Sequence, residues 1–148
     1  MRFYEDFEIG IPHTSEQFYE VTKEEIMSFA AQWDPMPFHL DEDVAKASPL
    51  GKLFASSIHT VAIGVKLAHT MIEEEAAIVA GLGWDELRFL VPVCVGDRLR
   101  VRSQLISKRE SKSQPDRGIL VSLNEVFNQR DQVVASYKMS SMILLRGA

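Results

Sequence analysis

The chain has 148 residues, 46% of them hydrophobic and 25% charged, with a formal net charge of −5. That length suits a single domain spanning residues 1–148, and a two-domain enzyme of the dehydrogenase type is not expected. An acidic balance gives no general pull toward polyanions, which argues against nucleic-acid or anionic-membrane partners, and one cysteine, Cys94, excludes an internal disulfide or a cysteine-cluster metal site.

The opening run, Met1 to Gly10, mixes charges with aromatics and does not read as a secretory leader. No uncharged stretch approaches the roughly 20 residues of a membrane span, so the chain is expected to be cytoplasmic. A strand is expected around Gln17–Val21. Thr22-Lys23-Glu24-Glu25 then has the form of a capping box, a hydroxyl followed three residues later by a glutamate. Ile26, Phe29, Ala30 and Trp33 follow at helical spacing, and Pro35 and Pro37 are expected to stop that helix. Asp41 is placed to cap a short polar helix over Asp41–Ala47, which ends in the Ser48-Pro49-Leu50-Gly51 loop.

From Ala55 to about Glu75 the pattern predicts a long helix. Ser56 and Ser57 can cap it, and Ile58, Val61, Ala62, Val65, Ala68 and Ile72 recur at helical intervals with no charge before Lys66. A helix so apolar on most sides is expected to be surrounded by protein. The second half turns to strands. Leu87–Val95 is a continuous apolar run, and Leu99, Val101, Ser103 and Leu105 alternate with polar neighbours at period two. Ile119–Phe127 and Val133–Leu145 continue that pattern across a hairpin turn at Asn128–Asp131. Lys108–Arg117 reads as a flexible loop. One long helix followed by antiparallel strands predicts an α+β fold in which a sheet curls around the helix, with an edge left for a second subunit.

The sharpest chemical feature is Asp34-Pro35-Met36-Pro37-Phe38-His39. A carboxylate and an imidazole five residues apart on a proline-stiffened turn can be aimed at one point and share a water for general acid–base work. From spacing alone a turn-capping Asp34 and a surface-loop His39 are the plainer reading. The start of the long helix, Ala55-Ser56-Ser57-Ile58, offers unpaired amides that can hold a carbonyl oxygen gaining charge, although serine there is ordinarily just a cap. His59 and His69 lie nearly three turns apart and cannot share a metal; His59 reads as polar packing in the core and His13 as a surface residue. Asp41-Glu42-Asp43 reads as a solvated helix start, and Cys94, among valines, as a small buried hydrophobe in a strand. No strand–GxSxG–helix serine or glycine-rich phosphate loop is present.

Asp34, Pro37 and His39 resemble the hydratase motif of MaoC-like dehydratases and (R)-specific enoyl-CoA hydratases, Asp-x-Asn-Pro-x-His, with Met36 in the asparagine position. The resemblance continues through Phe3–Gly10, Phe54–Thr60, Gly83–Phe89 and Pro92–Asp97, nearly the whole chain, and these ordered blocks outweigh the plainer reading of the pair. It implies a hot-dog fold, an antiparallel sheet wrapped around a long central helix, working as a homodimer or dimer-based oligomer. It implies addition of water to an enoyl-CoA-type thioester, or its removal, with no cofactor and no metal. Asp34 and His39 are the implied catalytic pair: His39 as base toward water and Asp34 orienting it and handling the α-carbon proton, the reverse division also being open. The backbone amide of Ser57, where the family carries glycine, is the implied oxyanion donor, with Ser56, Met36 and Phe38 against the substrate. Two other functions fit the same fold: an acyl-CoA thioesterase, which commonly needs a carboxylate on the central helix that is lacking here before Glu73, and a non-catalytic acyl-thioester-binding subunit.

Overall fold

The computed structural model describes residues 1–148. Thr22 starts the first helix, α1 (Lys23–Trp33), its hydroxyl accepting the Glu25 N–H at 3.3 Å. Ile26 and Ala30 form the buried face, and Asp34 leaves helical geometry at φ −154° and ψ 71°. The prolines do more than stop this helix. Pro37 opens a further one, α2 (Pro37–Leu40), at a first-turn position where its missing N–H costs no hydrogen bond. Helix α3 (Glu42–Ala47) follows, with the Asp41 carboxylate accepting from the Asp43 and Val44 amides as its sequence position implies.

Helix α4 runs over Ser57–His69, capped by Ser56 Oγ, which accepts the His59 N–H at 3.2 Å. It ends before Glu75. Three successive carboxylates, Glu73 to Glu75, oppose the partial negative charge of a helix C-terminus and favour an earlier stop. Nor is α4 enclosed on all sides: Val61, Ile63, Gly64 and Leu67 are buried, while Ser57, Ile58, Ala62, Lys66 and His69 form an exposed stripe.

The strands are β1 (Pro12–Thr14), β2 (Tyr19–Glu20), β3 (Ile78–Phe89), β4 (Arg98–Glu110), β5 (Arg117–Phe127) and β6 (Val133–Leu144). They form one antiparallel sheet in the order β1-β4-β5-β6-β3, with β2 also on β4. Three sequence expectations change. The apolar run Leu87–Val95 supplies only the end of β3; residues 90–97 are a loop, and Cys94 lies there, half-buried, rather than in a strand. Lys108–Glu110 belong to β4 and pair with Gly118–Leu120, so the flexible loop narrows to residues 111–116. Pro12–Thr14 forms a strand with no clear signal, all three residues being exposed.

The inner face of α4 lies on β4 and β5. Ile63 and Leu67 join Leu99, Val101, Val126, Ala135 and Tyr137 from the sheet, with Val21 and Ile26 closing the core at one side. Each such aliphatic side chain contributes roughly 1.5–3 kcal/mol by leaving water. Gly64 allows the close approach: a Cβ there would stand 2.6 Å from Val126 Cγ2. A sheet wrapped on a central helix in this order is the hot-dog fold. At the other edge β3 pairs only with β6, and its outer surface carries the exposed apolar residues Ile78, Val79, Leu82, Trp84 and Phe89.

Candidate active site

Asp34 and His39 meet because α1 ends at the first and α2 carries the second. His39 is only 4% exposed, so the surface-loop reading fails. Its Nε2 stands 3.7 Å from Asp34 Oδ2, with the Asp34 side chain partly open to solvent. Its Nδ1 lies 2.8 Å from the Phe54 carbonyl oxygen. A carbonyl can only accept, so in the neutral ring Nδ1 carries the proton and donates it, and Nε2 keeps its lone pair toward Asp34. The rings of Phe38 and Phe54 stack on each other at 5.5 Å and each meets His39 at 4.7 Å in a T-shaped contact, which fixes the imidazole plane.

With Nδ1 donating to Phe54, the carboxylate oxygen of Asp34 and Nε2 of His39 face each other as two acceptors across a gap too wide for a direct hydrogen bond. A water donating one hydrogen to each satisfies both and keeps its own lone pairs free for an electrophile. The strap that supplies the Phe54 carbonyl leads directly into α4. There the amides of Ser57 and Ile58 have no acceptor within the protein. They are the orphan donors at the positive end of the helix dipole.

The remaining expected site residues fall in different places. Ser56, expected beside the substrate, is fully buried, and its hydroxyl serves as the α4 cap. Met36 is 45% exposed at the entrance to α2, with Trp33 exposed nearby at the end of α1. Phe38 is half-buried against Phe54. His59 is buried as expected, stacked flat on Phe29 at 4.4 Å, and its Nδ1 has no partner. Burial pushes its pKa below the ordinary value, with Glu25 pulling weakly the other way. Burial raises the Cys94 thiol, which is the opposite of an activated nucleophile. No three His, Cys, Asp or Glu side chains converge to hold a metal ion. Sequence reasoning missed the Phe54 carbonyl, because a main-chain acceptor leaves no residue-type signature.

Fold and site together define a hot-dog protein with an imidazole–carboxylate pair beside the central helix N-terminus. The MaoC like domain model matches residues 6–126, and the chain belongs to that family. The structure is similar to the MaoC-like dehydratase from Rhodospirillum rubrum, with a TM-score of 0.89 and 36% identity across 100% of both chains. In sequence it is 32% identical to the Bacillus subtilis protein YdeM over 84% of this chain and 86% of that protein. It is 35% identical to 3-hydroxyacyl-thioester dehydratase Z of Mycobacterium tuberculosis over 88 residues, 58% of each chain. No helix is long and apolar enough to cross a membrane.

Proposed function

We propose that this chain is a hydro-lyase that adds water to the double bond of an enoyl thioester and removes it from the 3-hydroxyacyl product. The facing acceptors of Asp34 and His39, with Nδ1 of the imidazole held by Phe54, carry the reading. His39 Nε2 takes a proton from the shared water as its oxygen bonds to the β-carbon. The electron pair of the double bond moves onto the thioester oxygen, where the Ser57 amide stabilises the developing charge. The proton passes to Asp34 and on to the α-carbon, so that one H and one OH have been added. Dehydration runs the same steps backward. Ser56 acts from behind as the cap that orients the Ser57 amide, and Met36 and Phe38 flank the approach.

Family membership and the dehydratase relative support the same chemistry. The thioesterase alternative lacks its residue, since α4 holds no Asp or Glu. The working unit is one hot-dog domain per chain, paired with a second copy over the apolar β3 edge and the exposed stripe of α4. The ligand is an acyl thioester of coenzyme A or of a carrier protein.

The test offers purified protein enoyl-CoA of several chain lengths and follows both loss of the conjugated double bond and release of free thiol. Loss of conjugation without thiol release is expected. Thiol release alone indicates a thioesterase, and neither change indicates a binding subunit; either result overturns the reading.

A further inference from the structure

The Phe54 carbonyl is only as well placed as the strap that presents it, and that strap has no sheet of its own. Phe54 forms an isolated antiparallel bridge with Cys94, and the Ala55 N–H donates to the Val93 carbonyl at 2.8 Å. Those partners lie in the 90–97 loop, which also lacks regular structure. What fixes the loop is Asp97, a carboxylate only 5% exposed. Its Oδ2 accepts the Cys94 N–H at 2.9 Å, and its Oδ1 accepts from Gln129 Nε2 at 3.0 Å. Its own N–H donates to the Cys94 carbonyl, and its carbonyl accepts from the Val21 N–H, between β2 and α1. Gln129 in turn accepts the Arg98 N–H at 3.0 Å, which ties the β5–β6 turn to the base of β4.

We propose that Asp97 is a positioning residue for the reaction, acting through the Cys94 amide and the Phe54 strap to hold His39 in the tautomer that leaves Nε2 free. Asp97 itself does not touch the reacting atoms; the partners of its carboxylate are the Cys94 amide and Gln129. The effect is transmitted by backbone: the carboxylate accepts from the Cys94 N–H, the Val93 carbonyl of that same peptide accepts from the Ala55 N–H, and the Phe54 carbonyl of that second peptide accepts from Nδ1. A neutral imidazole whose Nδ1 loses its acceptor can move its proton to Nε2, and the ring then stops being a base toward water. Asp97 is suited to the task because an ionised carboxylate accepts from two donors at once. An asparagine in its place turns an NH2 group toward one of them.

This inference rests on the hydratase reading for its kinetic consequence, but its central readout does not. The ring nitrogens of His39 are followed by 15N NMR, assigned by difference against His39→Gln. Wild type is expected to show a protonated Nδ1 and a bare Nε2. Asp97→Asn is expected to mix the tautomers and to lower kcat by on the order of 10- to 100-fold, the usual cost of losing an outer-layer orienting group, with KM nearly unchanged. Gln129→Ala, at an exposed position, removes one of the two donors to the Asp97 carboxylate and is expected to shift both readouts the same way by less, even if Asp97→Asn folds poorly. Leu120→Ala, in the small cluster with Leu105 and Ile143, serves as a destabilised control and is expected to leave the tautomer unchanged. An unchanged His39 tautomer in both Asp97→Asn and Gln129→Ala overturns the proposal. If the wild type hydrates no enoyl thioester, the functional reading fails while the tautomer comparison still decides the role of Asp97.

Discussion

Nε2 of His39 and Oδ2 of Asp34 stand 3.7 Å apart, close enough to hold one water between them and too far to bond directly. Each side chain therefore contributes an acceptor, and loss of either leaves the water with one anchor. Asp34→Asn and His39→Gln are each expected to lower kcat for enoyl-CoA hydration by roughly 10²–10⁴-fold, the usual range for a positioned acid–base group. The half-open Asp34 site predicts little change in the melting temperature of Asp34→Asn. Steady-state kinetics and thermal unfolding of the two variants check both points, and full activity in either removes that residue from the site.

The oxyanion assignment concerns a main-chain atom, so the informative substitution is the one that deletes it. Proline is tolerated at the first position of a helix, where the amide has no intrahelical partner. Ser56 already has the extended geometry that a residue before proline needs, φ −62° and ψ 152°. Ser57→Pro is therefore expected to keep the fold while lowering kcat by about 10²–10³-fold, as for loss of one oxyanion donor. Ser57→Ala, which keeps the N–H, is expected to stay near wild type. Equal activity in the two variants refutes the role.

The exposed β3 edge makes a prediction about assembly. Leu82, 48% exposed in the middle of that strand, places apolar surface where a second copy is expected to cover it. Sedimentation of the wild type is expected to give the mass of two 16.7 kDa chains or a multiple of it. Leu82→Lys is expected to shift the population toward the single chain, because an uncompensated ammonium opposes burial of the edge. A wild-type chain that sediments alone at micromolar concentration contradicts the pairing.

His59 predicts a slope in stability on the acid side. Its folded pKa lies below the ordinary 6.5, chiefly through burial, so as the pH falls below that value the unfolded chain takes up a proton that the folded chain refuses. Folding loses stability through this window; above it both states are neutral and the residue adds no pH dependence. His59→Phe keeps an aromatic ring over Phe29 and removes the proton site. Denaturant midpoints measured from pH 8 down to pH 5 are expected to fall less steeply for the variant, and parallel curves contradict the assignment.

The helix starts were legible because capping is local chemistry: Thr22, Asp41 and Ser56 each cap as their position in the chain indicates. Strands β4 to β6 were legible because one face is dry and the other wet. The first part of β3 was hidden for the opposite reason. Almost all of it is exposed, and three register shifts with glycines at 81 and 83 break the alternation that marks a strand. The four-residue α2 was hidden because proline signals both the end of one helix and the first turn of another. Within the site, Asp34 and His39 stood out through the resemblance of their whole motif to a known family, since their spacing alone favoured a plain turn. The surroundings that prepare them did not stand out: Phe54 acts through its carbonyl, and Asp97 holds a loop from 58 positions further along the chain than His39.

The His39 ring owes its orientation to a peptide oxygen, and that gives the site a particular kind of robustness. Replacing the side chain at Phe54 alters the stacking on Phe38 but cannot delete the acceptor for Nδ1. A conventional mutational scan will therefore score position 54 for packing and pass over its larger contribution. Only chemistry on the main chain exposes it: an ester in place of the amide between Phe54 and Ala55 weakens that carbonyl as an acceptor, removes the N–H that Ala55 donates to Val93, and leaves every side chain in place.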